Sequence, residues 1–258
     1  MRLVVYNEKS GLLSEYGAGH FLDLLGGDEN IPLSAFLKGD RPRLSSKDHV
    51  VAAGGDGTLS AIVCSLLDGG ADDDELCRRT SFPGPPPEKL PVIFVIPGGS
   101  SNSVARSIRL PFLPGGWRRF LRRYRVALAD VGVAGGKPFI LCVSAGVSSC
   151  AVEHAEKHRS GGRSIRYYFG GVARALLNAP TVKMKGYGAG AFRRSEECSG
   201  PEAIVANMPV FGGYFNMPLV SPFDGLLDAF IPTPFDMACW MMGRGVRRRS
   251  FRGDDILI

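Results

Sequence analysis

Two glycine-bearing turns in this chain carry residue types that suit phosphate chemistry. The first is Gly54-Gly55-Asp56-Gly57-Thr58, between the apolar run His49–Ala53 and the apolar stretch Leu59–Leu67. Glycines let backbone N–H groups approach an anion closely, and a following helix N-terminus adds a positive dipole end. A carboxylate held there, Asp56, can reach Mg²⁺ through water or take a proton from an attacking hydroxyl. The second turn is Pro97-Gly98-Gly99-Ser100-Ser101-Asn102, after the run Val92–Ile96. Gly99 offers backbone, and Ser100 and Asn102 offer side-chain hydrogen bonds. A third turn, Asn7 with Ser10-Gly11, follows the run Leu3–Tyr6. Alone each could be an ordinary β-turn or helix cap. Three such turns after three apolar runs argue for one ligand crevice.

Those runs must be strands for the turns to meet. Strand, glycine turn and helix recur, with helices expected near Tyr16–Leu25, at Leu59–Leu67 and from Ser103. That order predicts an α/β fold with a Rossmann-like parallel sheet whose loops after the strand ends bind ligand. Residues 27–47 read as loop, and 68–90 as an acidic and then Pro-rich loop. Past residue 125 the pattern changes. Val126–Val133 and Phe139–Val143 read as strands, 151–159 and 164–177 as helices. Short apolar runs divided by Gly and Pro follow Thr181, which suggests antiparallel structure. The expected organisation is an α/β domain over 1–125 and a β-rich, sandwich-like domain over 126–258.

Composition bounds the partners. The 258 residues are 45% hydrophobic and 22% charged, with 31 Lys+Arg against 25 Asp+Glu and a net charge of +6. This is ordinary globular composition with a basic excess that favours anionic partners. No apolar run nears the roughly 18–20 residues that cross a bilayer. The N-terminal MRLVVYNEKSG reads as a strand rather than a secretory leader. Six cysteines without a CxxC pair point to reduced thiols and a cytoplasmic setting. His154 and His158 are four apart with no third ligand evident, so they read as a solvated helix face.

In series, NEKSG, GGDGT, PGGSSNSVARSI, ADVGVAGGKPF and SPFDGLLDAFI resemble the catalytic domain of the diacylglycerol kinase family. That family includes diacylglycerol, sphingosine and ceramide kinases and bacterial lipid kinases. The resemblance covers nearly the whole chain in the family's order. It implies ATP and Mg²⁺ as cofactors and a lipid hydroxyl as acceptor, with ATP between the two domains. Asp56 becomes the catalytic base. Asn7, Ser10, Gly11, Gly54, Gly55, Gly57, Thr58, Gly99, Ser100 and Asn102 become the nucleotide-binding loops. GGSSN leans towards the sphingosine kinase branch. GVSSCAVEHAEKHRSGGRSIRY resembles that branch's stretch around a phosphate-binding arginine, which places Arg159 on the phosphates. Asp224, in the late SPFDG segment, becomes the metal-side carboxylate. The lipid tail is expected in an apolar cleft near Phe211–Pro218.

The match has departures. Cys150 and Val152 stand where sphingosine kinases carry aspartates. Ser103 and Ser221 stand where bacterial relatives carry others. The ending SFRGDDILI resembles the strand before the family's DGE motif, so the sequence reads as cut short. These departures keep a nucleotide-binding pseudokinase or inactive fragment as the alternative. NAD kinase, which shares GGDGT, is a third choice. Two basic segments remain. Trp117–Arg125 interleaves aromatics with five arginines, and reads either as a peripheral membrane surface with the aromatics dipping in or as a helix with its apolar side in the core. Arg244–Arg252 reads as solvated surface. No nucleic-acid-binding signature is present.

Overall fold

The computed structural model describes residues 1–11, 17–67, 89–99, 101–157, 171–172, 175, 181–187, 195–212, 215–217, 219–241, 251–253 and 255–257. Two compact units divide the chain, Met1–Ile140 and Leu141–Ile258.

The first unit is built on a parallel sheet. Its strands are β1 (Arg2–Tyr6), β2 (Glu29–Pro32), β3 (His49–Gly54) and β4 (Val92–Pro97), in the order β2-β1-β3-β4. Apolar runs become strands here because both faces are covered. Val4, Val51, Ala53, Phe94 and Ile96 share a buried cluster with Phe21 and Leu25 of α1 (Ala18–Leu25), and with Trp117 and Leu121. The alternate positions Leu3, Val5, Val50 and Ala52 are also buried. Helices α2 (Leu33–Leu37) and α3 (Asp56–Leu67) pack against β1, β2 and β3. Residues 27–47, read as loop, thus contain β2 and α2.

A short helix α4 (Ser103–Ser107) and then α5 (Pro114–Arg122) follow β4. Pro114 opens α5, where a missing N–H costs nothing. Trp117 and Leu121, one turn apart, turn into the core, and Phe120 packs against it. Trp117 meets Phe21 edge-on, and its indole N–H donates to the Pro111 carbonyl at 2.8 Å. Trp117 and Phe120 therefore serve the core, while Tyr124, Arg118, Arg119, Arg122, Arg123 and Arg125 are exposed. Trp117 is buried and Phe120 is partly buried against the core, so these two rings follow the core-packing reading, while the arginines face solvent.

The segment read as a strand over Val126–Val133 is without ladder pairing until β5 (Gly132–Ala134). β5 forms a hairpin with β6 (Lys137–Phe139). Gly135 and Gly136 turn it, both at positive φ, 55° and 76°. The Cys64 thiol of α3 donates to the Pro138 carbonyl at 3.3 Å, so the hairpin packs with the first unit. The units accordingly divide after Ile140 rather than near residue 125.

The second unit is antiparallel, as an α/β-then-β-rich reading requires. Strand β7 (Cys142–Gly146) leads into α6 (Val147–Lys157). Then come β8 (Val182–Tyr187), β9 (Ser195–Gly200), β10 (Glu202–Ala206), and the two-residue pair β11 (Val210–Phe211) and β12 (Phe215–Asn216). Strand β13 (Leu227–Phe230), helix α7 (Pro234–Met241), β14 (Phe251–Gly253) and β15 (Asp255–Leu257) complete it. One sheet runs β14-β13-β10-β7 and another β15-β8-β9. Interior strand β10 is buried throughout, and Ile204 and Ala206 join Val147, Met217, Val220, Phe230 and Met237 in the core. No helix among the described residues is long and apolar enough to cross a membrane.

Candidate functional site

The parallel register sets the site. Tyr6 lies beside Ala53, Ala53 beside Ile96, and Gly54 beside Pro97. The three expected turns therefore leave the sheet at one edge, at the carboxyl ends of adjacent strands.

Side chains tie the turns together. The Asn7 amide donates to Thr58 Oγ1 at 3.0 Å, and the Asn7 backbone N–H donates to the Ala53 carbonyl at 3.1 Å. Ser10, 5% exposed, closes back onto the Asn7 carbonyl, with Gly11 next in the chain. Gly98 N–H donates to the Gly54 carbonyl at 2.7 Å. The backbones of Gly55 and Gly99 then pass so closely that a Cβ on Gly99 would stand 2.5 Å from Gly55 Cα. That approach requires glycine at Gly99. Gly57, by contrast, faces open space and is exposed.

Asn102 holds the second turn shut. It adopts the left-handed conformation (φ 49°, ψ 46°), which asparagine tolerates better than most residues. Its Oδ1 accepts from Gly99 N–H at 2.8 Å, and its Nδ2 donates to the Gly99 carbonyl at 2.7 Å. Asp56 is half-buried, and its carboxylate spans the two turns. Oδ2 accepts from Ser103 N–H at 2.8 Å and Oδ1 from Val104 N–H at 3.0 Å. The first turn thus supplies the cap for the helix that follows the second. A carboxylate offers about four lone-pair positions, so acceptor capacity remains on both oxygens.

Other expected site residues are placed differently. Ser100 and Arg159 lie outside the described residues, as do His158 and positions 244–250 of the basic run. Asp224 belongs to the second unit, in a turn before β13. One of its oxygens is paired with the Arg252 guanidinium, and the other accepts from Leu226 N–H at 3.2 Å. Arg252 also stands 3.6 Å from the buried Asp228, its cross-strand partner. Sequence reading missed this arginine as a carboxylate partner. The signal was available only through the β13–β14 register, where opposite charges face each other. Among the described residues no group of three or more His, Cys, Asp or Glu side chains could hold a metal ion.

A second carboxylate was also missed. Glu202, fully buried at the start of β10, accepts from Ser148 N–H at 2.7 Å and from the Ser148 hydroxyl at the N-terminus of α6. Burial pushes its carboxyl above the usual range, with the hydrogen bonds from Ser148 and Val147 opposing that shift.

The first-unit loop edge lies largely inside residues 40–133, which match the model described as the diacylglycerol kinase catalytic domain. This segment matches the diacylglycerol kinase family. It contains GGDGT, the PGGSSN turn, α5 and the start of the hairpin. Solved structures share the fold. A diacylglycerol kinase from Bacillus anthracis str. Sterne is 19% identical with a TM-score of 0.62, covering 99% of this chain and 84% of its own. A candidate diacylglycerol kinase from the same organism is 20% identical with a TM-score of 0.61, covering 94% of this chain and 78% of its own. At these identities the likeness is one of fold. No curated protein matches the chain. The family match covers residues 40–133, and the solved structures add a likeness of fold over nearly the whole chain.

Proposed function

We propose that the chain is an ATP-dependent lipid kinase acting on a hydroxyl of a diacylglycerol- or sphingoid-type lipid. The observation that carries this reading is the junction of GGDGT and PGGSSN at neighbouring parallel strand ends, inside the segment that matches the kinase family. Backbone N–H groups of Gly55 and Gly57 would bind the ATP phosphates, with Asn7, Ser10, Gly11, Gly54, Thr58 and Gly99 shaping the neighbouring turns. Asn102 keeps the second turn in the closed form that such binding needs. Ser100 and Arg159 are further phosphate contacts by family resemblance.

Asp56 is the proposed base. The lipid oxygen forms its bond to the γ-phosphorus, and the bond to the β–γ bridging oxygen breaks with its electrons leaving on ADP. Asp56 takes the hydroxyl proton on an oxygen whose other lone pair is already fixed by Ser103 or Val104. Those two bonds hold the carboxylate still, which is the preorganisation that phosphoryl transfer rewards.

Mg²⁺, when bound to the nucleotide, screens charge on the transferring group. The described residues do not fit a protein-held ion, because Asp224 is engaged by Arg252. No step is therefore assigned to a protein-bound metal. The departures at Ser103 and Cys150 favour, as a second reading, a nucleotide-binding pseudokinase or inactive fragment. The membrane-peripheral, cytoplasmic setting belongs to the proposal too.

Calorimetric titration with Mg·ATP, Mg·ADP and NAD, followed by phosphorylation of micellar diacylglycerol, sphingosine and ceramide, tests all of this. Tighter ATP or ADP binding than NAD, with product from one lipid, is expected. Nucleotide binding without transfer to any of the three would install the pseudokinase reading. NAD binding without ATP binding would install NAD kinase.

A further inference from the structure

Helix α5 spends one face on the core and leaves three guanidiniums on the other, with a fourth, that of Arg123, just past its end. Arg118, Arg119, Arg122 and Arg123, with Gly115, line an open groove of about 440 Å³. None of the four makes an ion pair among the described residues. Like charges at these helical spacings repel. The helix dipole offsets part of that at Arg119 and Arg122, which lie in the last turn. Arg118 lies outside that turn, so the face as a whole calls for an external anion.

The turn ahead of α5 supplies an apolar counterpart. Leu113 is 76% exposed and Phe112 40%. The turn is pinned in place: Trp117 donates to Pro111, Gly116 N–H donates to Leu113, and the Arg106 guanidinium lies 4.9 Å from the Phe112 ring centre. Single exposed apolar residues are ordinary. Two adjacent ones, held rigidly at the end of an arginine face, match a bilayer surface, where aliphatic tips enter below anionic headgroups.

We propose that Phe112, Leu113 and the arginine face of α5 form a docking surface for an anionic phospholipid bilayer. The occupant follows from charge complementarity and from Leu113, which a nucleic acid would not use. The proposal deepens the lipid-kinase reading by naming the surface that would bring the enzyme to its substrate. Vesicle binding is measured without nucleotide, so each can fail alone.

The test is co-sedimentation of the full chain with phosphatidylcholine vesicles, with and without phosphatidylserine, at low and high salt. Binding is expected only with phosphatidylserine, and weaker at high salt. Replacing all four with glutamine (R118Q, R119Q, R122Q, R123Q) should weaken it by about fivefold per arginine. Leu113→Ser should cost about tenfold and leave the salt dependence intact. All these side chains are exposed, and an unchanged melting transition checks that the variants fold. Absence of phosphatidylserine-dependent binding overturns the proposal, as does equal binding by the four-arginine variant. Displacement of vesicles by a single-stranded oligonucleotide, with no effect of Leu113→Ser, would reassign the face to nucleic acid.

Discussion

Both units use a carboxylate to hold the N-terminus of a helix far away in sequence, and they set it in opposite surroundings. In the first unit Asp56 caps α4 from 47 residues away, at a half-open edge beside the exposed Gly57. In the second, Glu202 caps α6 from 54 residues away with no exposure at all. The interaction is the same, N–H to carboxylate. What differs is access. Asp56 can meet a ligand with its remaining lone pairs, whereas Glu202 can meet nothing but its own helix. A cap alone is therefore poor evidence of chemistry, and what distinguishes Asp56 as the proposed base is the open glycine edge around it.

The largest test of that distinction is Asp56→Asn. It should lower lipid phosphorylation by about 10²–10⁴-fold, the usual loss when a general base is removed. Nucleotide binding, read by calorimetry, should survive. Asn keeps one acceptor for Ser103 or Val104 but can turn an N–H₂ towards the other, so roughly 1–2 kcal/mol of stability should go as well. Near-normal turnover would reduce Asp56 to the same status as Glu202.

Glu202→Ala carries the opposite expectation. Removing a buried acceptor leaves Ser148 and the α6 terminus uncapped, at about 1–3 kcal/mol in urea unfolding, with no specific effect on the chemical step. The pH dependence gives a second check. Glu202 is raised in the folded state, so its contribution is most favourable below the ordinary glutamate range and is lost as pH rises through the folded value. Glu202→Gln keeps the acceptor and loses the titration. Its stability should stay flat across the window above pH 4.5 where the parent's declines. An equal decline in both would show that another group titrates there.

The glycines sharpen the comparison within the edge itself. Gly99→Ala drives a methyl group into Gly55 backbone, which cannot swing aside, so a loss of about 1–3 kcal/mol and weaker nucleotide binding are expected. Gly57→Ala meets nothing within 4 Å and should leave stability within about 1 kcal/mol of the parent. A reversed order in thermal melting would mean that the two turns do not close as described.

Much of the loop edge was legible because buried parallel strands write themselves as apolar runs. HVVAA runs into Gly54 and VIFVI into Pro97-Gly98, where the strands end. The polar edge strand ENIP was not legible, since it pairs only with β1 and needs no apolar face. VALADVGV failed the other way. Its strand-like composition has no ladder partner before Gly132, and pairing is a property of neighbours that a local pattern does not contain. The Asp56 cap and the Arg252 pairs share that cause, each joining residues at least 24 apart. Trp117 and Phe120 were ambiguous in sequence because helical spacing leaves open which side meets the core. Phe21 and Phe94 decided it.

The smallest effect is expected at Asp224, where two readings of one carboxylate compete. As a ligand for Mg²⁺ it would be indispensable to transfer. As the partner of Arg252 it is half of a partly exposed ion pair, with 28% of its side chain in solvent and 34% of the arginine's. Exposed pairs contribute only about 0–1 kcal/mol, because water screens the attraction and two side chains lose freedom to make it. Asp224→Asn retains an oxygen for Leu226 N–H and gives up only the charge. We expect stability within about 1 kcal/mol of the parent and unchanged nucleotide affinity at saturating Mg²⁺. The informative measurement is the Mg²⁺ dependence of phosphorylation in parent and variant side by side. Superimposed curves leave Asp224 as a surface partner of β14. A large loss that added Mg²⁺ restores would mean that Arg252 yields this carboxylate to the metal during turnover, and the second unit would then hold a chemical carboxylate as well as a structural one.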